Sequence, residues 1–203
     1  MRRSLLFIGW ILFILYAVFL APDGNQGYLA QLIEMDDPDP MLLMVFSFLG
    51  MYPMAFAAFL LGEDDARVPA WPFVIGSFML GAFALMPYFF LAKNGLVRRT
   101  RTPGWIVKML RSRAFLFVVS LGTAALFVYG ITEGSAGDYE IAFQVSQFVH
   151  VMTVDFFVLT ALSVYAIYWR ERKYGRENQR HWMGCVPIIG MAAYLMRVQS
   201  YGK

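Results

Sequence analysis

The stretch "QFVHVMTVDFFVL", residues 147–159, decides how the chain is read. It is apolar enough to enter a bilayer, yet it carries His150 and Asp155. An ionisable group in hydrocarbon is costly and by default marks a function. The two residues are five apart, which on a helix puts them about 140° and about 7.5 Å from one another. They cannot form an i, i+4 pair and do not share a face. His150 continues a polar series with Gln144, Gln147 and Thr153, spaced by three, which suits one neighbouring helix. Asp155 points elsewhere, near the middle of the segment, and needs a partner. Ser47, Tyr52, Ser77, Tyr88, Ser120 and Tyr129 are the candidates. Asp155 reads either as a structural hydrogen-bond node or as a functional acid. His150 reads either as an interfacial histidine or as an axial ligand to a metal macrocycle such as chlorophyll or haem.

The rest of the chain has the same character. Of its 203 residues 59% are hydrophobic, 17% aromatic and 15% charged. Soluble domains have about 25% charged residues, so the composition is that of a membrane protein. Five apolar segments are long enough to span, at residues 5–21, 41–62, 71–92, 114–132 and 147–169. A sixth, "HWMGCVPIIGMAAYLMR" (181–197), is shorter and holds Pro187 and Gly190. It can be a short span, a re-entrant piece or an interfacial helix. The runs are continuous rather than alternating, which disfavours a barrel. The expected fold is all-α: an integral membrane helical bundle of five spans plus a short sixth C-terminal hydrophobic helix, in a single polytopic domain over 1–203. The N-terminal run resembles a signal peptide, but it is long, lacks an A-x-A pattern and is followed by Pro22, so it reads as a retained transmembrane helix.

The segments between the apolar runs differ in charge. Residues 22–40 carry Asp23, Glu34, Asp36, Asp37 and Asp39 and no Lys or Arg. Asp39 can cap the next helix with Pro40 in its first turn. Seven basic residues fall in 93–113 and five in 170–180. Two spans separate these basic segments, so they face one side, read as cytoplasmic or stromal. Three spans precede the first of them, which puts the N-terminus on the opposite side. Arg2, Arg3 and the acidic segment 22–40 oppose that orientation, and a span that fails to cross would reverse the first half. Within the basic loop at 95–113, "PGWIVKMLRSR" sets Trp105 beside Lys108, Arg111 and Arg113. It reads as a short helix lying on anionic lipid or as an extension of the fourth span.

No H-x-x-x-H, C-x-x-C, G-x-S-x-G or P-loop occurs, and Cys185 is the single cysteine. No metal site is therefore expected, and no catalytic residue beyond Asp155 as a candidate acid. "SFMLG" (77–81) gives small-residue spacing for close helix contact. Tyr52–Pro53 and Pro87–Tyr88 put proline beside tyrosine inside two spans. Two kinked helices joined by the tight "GEDDARVPA" connection can frame an aromatic pocket for an isoprenoid or pigment; packing kinks and core aromatics are the other reading. A transporter needs more intramembrane charge and a repeat, and the sequence offers neither.

Trp71–Pro72, Pro87–Tyr88 and the series His150, Met152, Asp155 resemble the pattern of an uncharacterised family of small multi-pass membrane proteins of cyanobacteria and plastids. The resemblance covers about residues 5–200. The basic loop with Arg98–Arg101 and the basic C-terminal segment depart from it. The ending "VPIIGMAAYLMR" is weakly specific. A more distant similarity, in size and hydropathy, is to neoxanthin-synthase-type plastid membrane proteins. What the resemblance implies is a thylakoid or cyanobacterial membrane, with chlorophyll or carotenoid as the pigments at hand and a photosystem or other thylakoid membrane proteins as partners besides the lipid. The expected function is then a non-catalytic accessory or assembly protein of a photosynthetic membrane complex, with His150, Asp155, Tyr52, Pro53, Pro87 and Tyr88 contacting pigment or neighbouring helices. The alternative is an integral-membrane isomerase or related enzyme acting on a carotenoid or isoprenoid lipid.

Overall fold

The computed structural model describes residues 2–24, 26–64, 66–92, 101–175 and 180–200. Parts of both basic segments, 93–100 (with Arg98 and Arg99) and 176–179, lie outside the described residues. The described chain is mostly helical and forms an all-α bundle. Five helices are long and apolar enough to cross a membrane: α1 (Arg2–Phe19), α3 (Pro40–Leu60, continued as a 3-10 turn Leu61–Glu63), α4 (Trp71–Leu91), α6 (Arg113–Glu133) and α8 (Gln147–Lys173). Short helices α2 (Tyr28–Glu34), α5 (Gly104–Leu110) and α7 (Ala136–Val145) lie between them, and a 3-10 turn (Arg180–Cys185) leads into α9 (Ile189–Ser200).

Cap chemistry sets several of the starts. Asp39 accepts from the amides of Met41 and Leu42 at 2.9 and 3.2 Å, with Pro40 in the first turn, as the sequence implies. Its second oxygen accepts from Ser135 N at 2.9 Å, which ties the start of α3 to the start of α7. Ser112 and Ser146 cap α6 and α8.

Helix directions follow from the contacts. On α3 and α6, Met44 lies over Gly130 and Met51 over Gly122, while Arg111 just before α6 bonds the Ala58 carbonyl. The two are antiparallel. On α3 and α8, Phe46 meets Phe148 and Tyr52 meets Thr160, so these run parallel. On α1 and α4, Arg3 donates to Ala92 O at 2.8 Å and Phe13 stacks on Phe83 at 3.9 Å.

The third apolar segment has a shape the sequence reading did not anticipate. Gly81 sits at φ 50°, ψ −128°, inside α4. Phe73 and Tyr88 have ring centroids 5.7 Å apart. In a straight helix, residues fifteen apart are separated by about 22 Å. A Cβ on Gly76 would lie 3.2 Å from that of Ala84. The helix therefore folds back at Gly81 into two arms, residues 71–80 and 82–91. Ten residues of helix reach about 15 Å, half of the roughly 30 Å hydrocarbon layer. Both ends of α4 lie at one end of the bundle, and its tip stands near mid-depth. Pro87 leaves the Phe83 carbonyl without its helical donor, and the Trp10 indole supplies one at 2.9 Å.

This hairpin corrects the expected orientation of the N-terminus. With α4 entering and leaving on the same side, α1 begins where α8 ends: Arg2 lies 5.1 Å from the centre of the Tyr168 ring. Arg2 and Arg3 thus share one end of the bundle, the basic end, with the described parts of both basic segments. The connections at the other end, 20–39 and 134–146, contain none of the 17 basic residues and hold Asp23, Glu34, Asp36, Asp37, Asp39, Asp138 and Glu140. The parity conflict in the sequence came from counting α4 as a crossing.

The sixth segment is re-entrant as well. Gly184 packs directly on the backbone of Val164, where a Cβ would come within 2.5 Å, and its carbonyl accepts from Ser163 at 2.7 Å. The chain turns at Ile188, with φ 59°, and α9 returns to the basic end, where Gln199 donates to Arg111 O at 2.8 Å.

In a Cys185→Ser background, cysteines at Ser4, Lys108 and Gly137 test this topology. An impermeant maleimide on one face of sealed vesicles is expected to label the first two together, and the third only from the opposite face. Labelling of Ser4→Cys and Gly137→Cys from the same face would refute the hairpin.

Candidate functional site

Helix α8 carries the polar groups that the sequence singled out. Asp155 is 5% exposed, and its Oδ1 accepts from Ala82 N at 2.8 Å. Ala82 is the first residue of the second arm. Its N–H has no acceptor within that arm, because the chain has just reversed. The carboxylate also sits at the positive end of that half-helix's dipole. Gly81 makes the approach possible: a Cβ there would lie 1.7 Å from Asp155 Oδ2, and the backbone is in the region that glycine alone occupies readily.

The partner is thus a backbone amide, not one of the six hydroxyls the sequence offered. Tyr52 bonds Thr160 at 2.5 Å, Ser77 bonds Val74 O, and Ser120 bonds Leu116 O. The signals that could have found the amide were a glycine in the middle of a span and a parity that did not close.

His150 lies at the acidic end, between three helices. Its Nε2 is 2.5 Å from Tyr16 Oη of α1, and its Nδ1 is 3.1 Å from Phe143 O of α7. A carbonyl only accepts, so Nδ1 carries the proton; in the neutral ring Nε2 then accepts from the tyrosine. The imidazole also stacks on the Phe143 ring, 4.1 Å between centroids. Both ring nitrogens are engaged within the bundle, so the lone pair that an axial ligand would use is already bonded. The polar series divides: Gln147 donates to Ala17 O of α1, Thr153 meets Tyr139 of α7, and Gln144 lies on α7 itself and bonds Glu140.

Tyr52 and Tyr88 are fully buried. They join Phe56, Phe89, Tyr165 and Trp169 in one aromatic layer between α3, the second arm of α4 and α8. These rings pack on one another beside the Tyr52–Pro53 and Pro87–Tyr88 pairs.

A third centre, at the basic end, escaped the sequence reading. Glu63 Oε1 accepts from Arg111 at 3.2 Å and from Arg170. Arg111 also bonds the carbonyls of Ala58 and Phe59 at the end of α3, a cationic cap for the negative pole. Burial pushes its guanidinium below the usual arginine value, an effect that Glu63 opposes. Arg170 lies 5.5 Å from the ring centres of both Phe59 and Tyr194. Arg101 reaches Asp64 at 3.6 Å and the carbonyl of Ala66. Arg111, expected on the lipid surface with Trp105, Lys108 and Arg113, is therefore turned into the bundle; the other three are exposed. Basic runs read as surface, and nothing in their spacing marks the member that turns inward.

Among the described residues no three His, Cys, Asp or Glu gather as a metal site. Comparison with protein-family models, with curated proteins and with solved structures gives no match.

Two substitution series test these centres by thermal unfolding in detergent. Asp155→Asn keeps an acceptor and is expected to cost little. Asp155→Leu strands the Ala82 N–H and is expected to cost about 2–5 kcal/mol, with Gly81→Ala costing more than about 2 kcal/mol. Equal losses for Asn and Leu at 155 would refute the capping role. Arg170→Leu leaves Glu63 with one of its two cations and is expected to cost about 3 kcal/mol. Adding Glu63→Gln should restore part of that; an additive double variant would argue against the ion network.

Proposed function

We propose that the protein is a non-catalytic accessory or assembly protein of a membrane complex, of the photosynthetic, thylakoid type that the sequence resemblance implies. The bond from Ala82 N–H to Asp155 carries this reading. The carboxyl best placed for mid-membrane acid chemistry is committed to holding a hairpin, and its partner is the protein's own backbone. His150 is committed likewise, to Tyr16 and Phe143. What the hairpin presents outward is apolar: Phe78, Met79 and Leu80 at its tip are exposed, Met79 to 90%. A chlorophyll or carotenoid in such a complex would meet these side chains rather than the His150 nitrogens. On this reading the basic end faces the cytoplasm or stroma, the side on which basic connections accumulate.

The test is mild-detergent extraction of the tagged full chain from its native membrane, followed by native electrophoresis. The wild type is expected in an assembly larger than itself, retained by Asp155→Asn and lost by Asp155→Leu. Migration alone, without partner or pigment, would overturn the proposal. So would a changed carotenoid or isoprenoid profile in Asp155→Asn cells, the mark of an enzyme.

A further inference from the structure

At the basic end, the start of α1 meets the end of α8. Two guanidinium groups gather there on one tyrosine. Arg2 lies 5.1 Å from the centre of the Tyr168 ring, and Arg172 lies 5.9 Å from the same centre while donating to its hydroxyl at 3.0 Å. Arg3 follows Arg2 in the first turn of α1 and donates to Ala92 O at 2.8 Å. His181 stands edge-on to Tyr168, 5.9 Å between ring centres. Among the described residues, no carboxylate pairs with Arg2, Arg3 or Arg172.

The contrast with the neighbouring cations is informative. Arg101, Arg111 and Arg170 reach Asp64 or Glu63. Arg2, Arg3 and Arg172 are exposed and reach neither. Like charges on one aromatic platform repel, and the start of α1 adds the positive pole of its dipole to them. An anion placed among them removes that repulsion, and guanidinium is suited to bidentate contact with phosphate.

The level of this cluster identifies the anion's source. The apolar run of α1 begins at Leu5, after Arg3 and Ser4, and that of α8 ends at Trp169, directly before Arg170. The seam therefore lies where the hydrocarbon gives way to headgroups. Trp105 and Trp182, on the same end of the bundle, are 68% and 62% exposed, as residues of an interfacial belt are.

We propose that Arg2 and Arg172, arranged on Tyr168, form a binding site for the phosphate of an anionic phospholipid in the leaflet at the basic end, with Arg3 adding charge beside them. The first turn of α1 is then held to α8 in part through a lipid. Basic side chains at such a surface act additively on anionic headgroups.

The test uses the full chain in lipid nanodiscs of phosphatidylcholine alone or with phosphatidylglycerol, read by native mass spectrometry of retained lipid and by thermal unfolding. The wild type is expected to retain phosphatidylglycerol over phosphatidylcholine by about tenfold, and to melt higher in its presence. Arg2→Gln/Arg172→Gln is expected to retain the two lipids equally while melting like the wild type in phosphatidylcholine. Lys108→Gln, on the same end but away from the seam, should keep the preference. Equal retention by the wild type would overturn the proposal, and points to an acidic protein segment as the occupant if the cluster is nonetheless covered. A preference that survives the double substitution would also overturn it. Protection by inorganic phosphate alone, equal to that by phosphatidylglycerol, would assign the cluster to a free anion instead.

Discussion

One hydrogen bond in hydrocarbon holds the architecture: Ala82 N–H to Asp155. Reversing a chain at mid-membrane exposes helix-end amides where no water can take them, and each such group costs several kcal/mol. Only two kinds of solution are stable, a buried acceptor or no reversal. Asp155 is the acceptor, and Gly81 is the one residue type that lets the acceptor close on the turn. The pair is mutually dependent. An aspartate at mid-span costs about 2.5–3.5 kcal/mol to insert, and the hairpin tip gives it a donor and the positive end of a half-helix. Neither element is reasonable alone, and each explains the other.

The sidedness of the whole chain follows from that turn. Because α4 does not cross, α1, α3, α6 and α8 alternate in direction so that the described parts of the basic connections fall at one end. The acidic connections, with Asp23, Glu34 and Asp36–Asp39, fall at the other. The two ends are also held by different chemistry. At the acidic end the contacts are neutral: Tyr16 with His150, and Tyr139 with Thr153. Asp39 and Glu140 contribute charge there, Asp39 through the amides of Met41 and Ser135 and Glu140 through the Gln144 side chain. At the basic end Glu63 joins Arg111 and Arg170, within a cage of Phe59 and Tyr194.

Much of this was legible in the sequence. The five apolar helices, the Asp39–Pro40 start and the need of Asp155 for a partner can all be read from composition and spacing. The identity of that partner cannot, because every residue but proline offers an amide and its side chain gives no sign of it. Gly81 was equally opaque: in "SFMLGAFALMP" a glycine serves close helix packing as readily as a reversal. The decisive clue was an inconsistency, two arginines and an acidic loop on the wrong sides of a five-span count. Charge parity is a global property, so it can expose a local error that no local pattern reveals. The inward turn of Arg111 left no such trace, since one cation among seven in 93–113 changes no parity.

Both re-entrant elements hang from the basic end and both rest on α8. The α4 hairpin reaches Asp155, and the shallower C-terminal turn reaches Ser163 and Val164. Glycine permits each contact, Gly81 at the first and Gly184 at the second. Helix α8 is thus a spine read along its length: neutral bonds to α1 and α7 at one end, a capped hairpin at the middle, a second turn above it, and the Arg170 network at the other end. The polar residues that make "QFVHVMTVDFFVL" costly as a lipid-facing segment are the ones that fix what packs around it. A segment of that composition is stable in a bilayer because its polar groups are bonded to the helices around it.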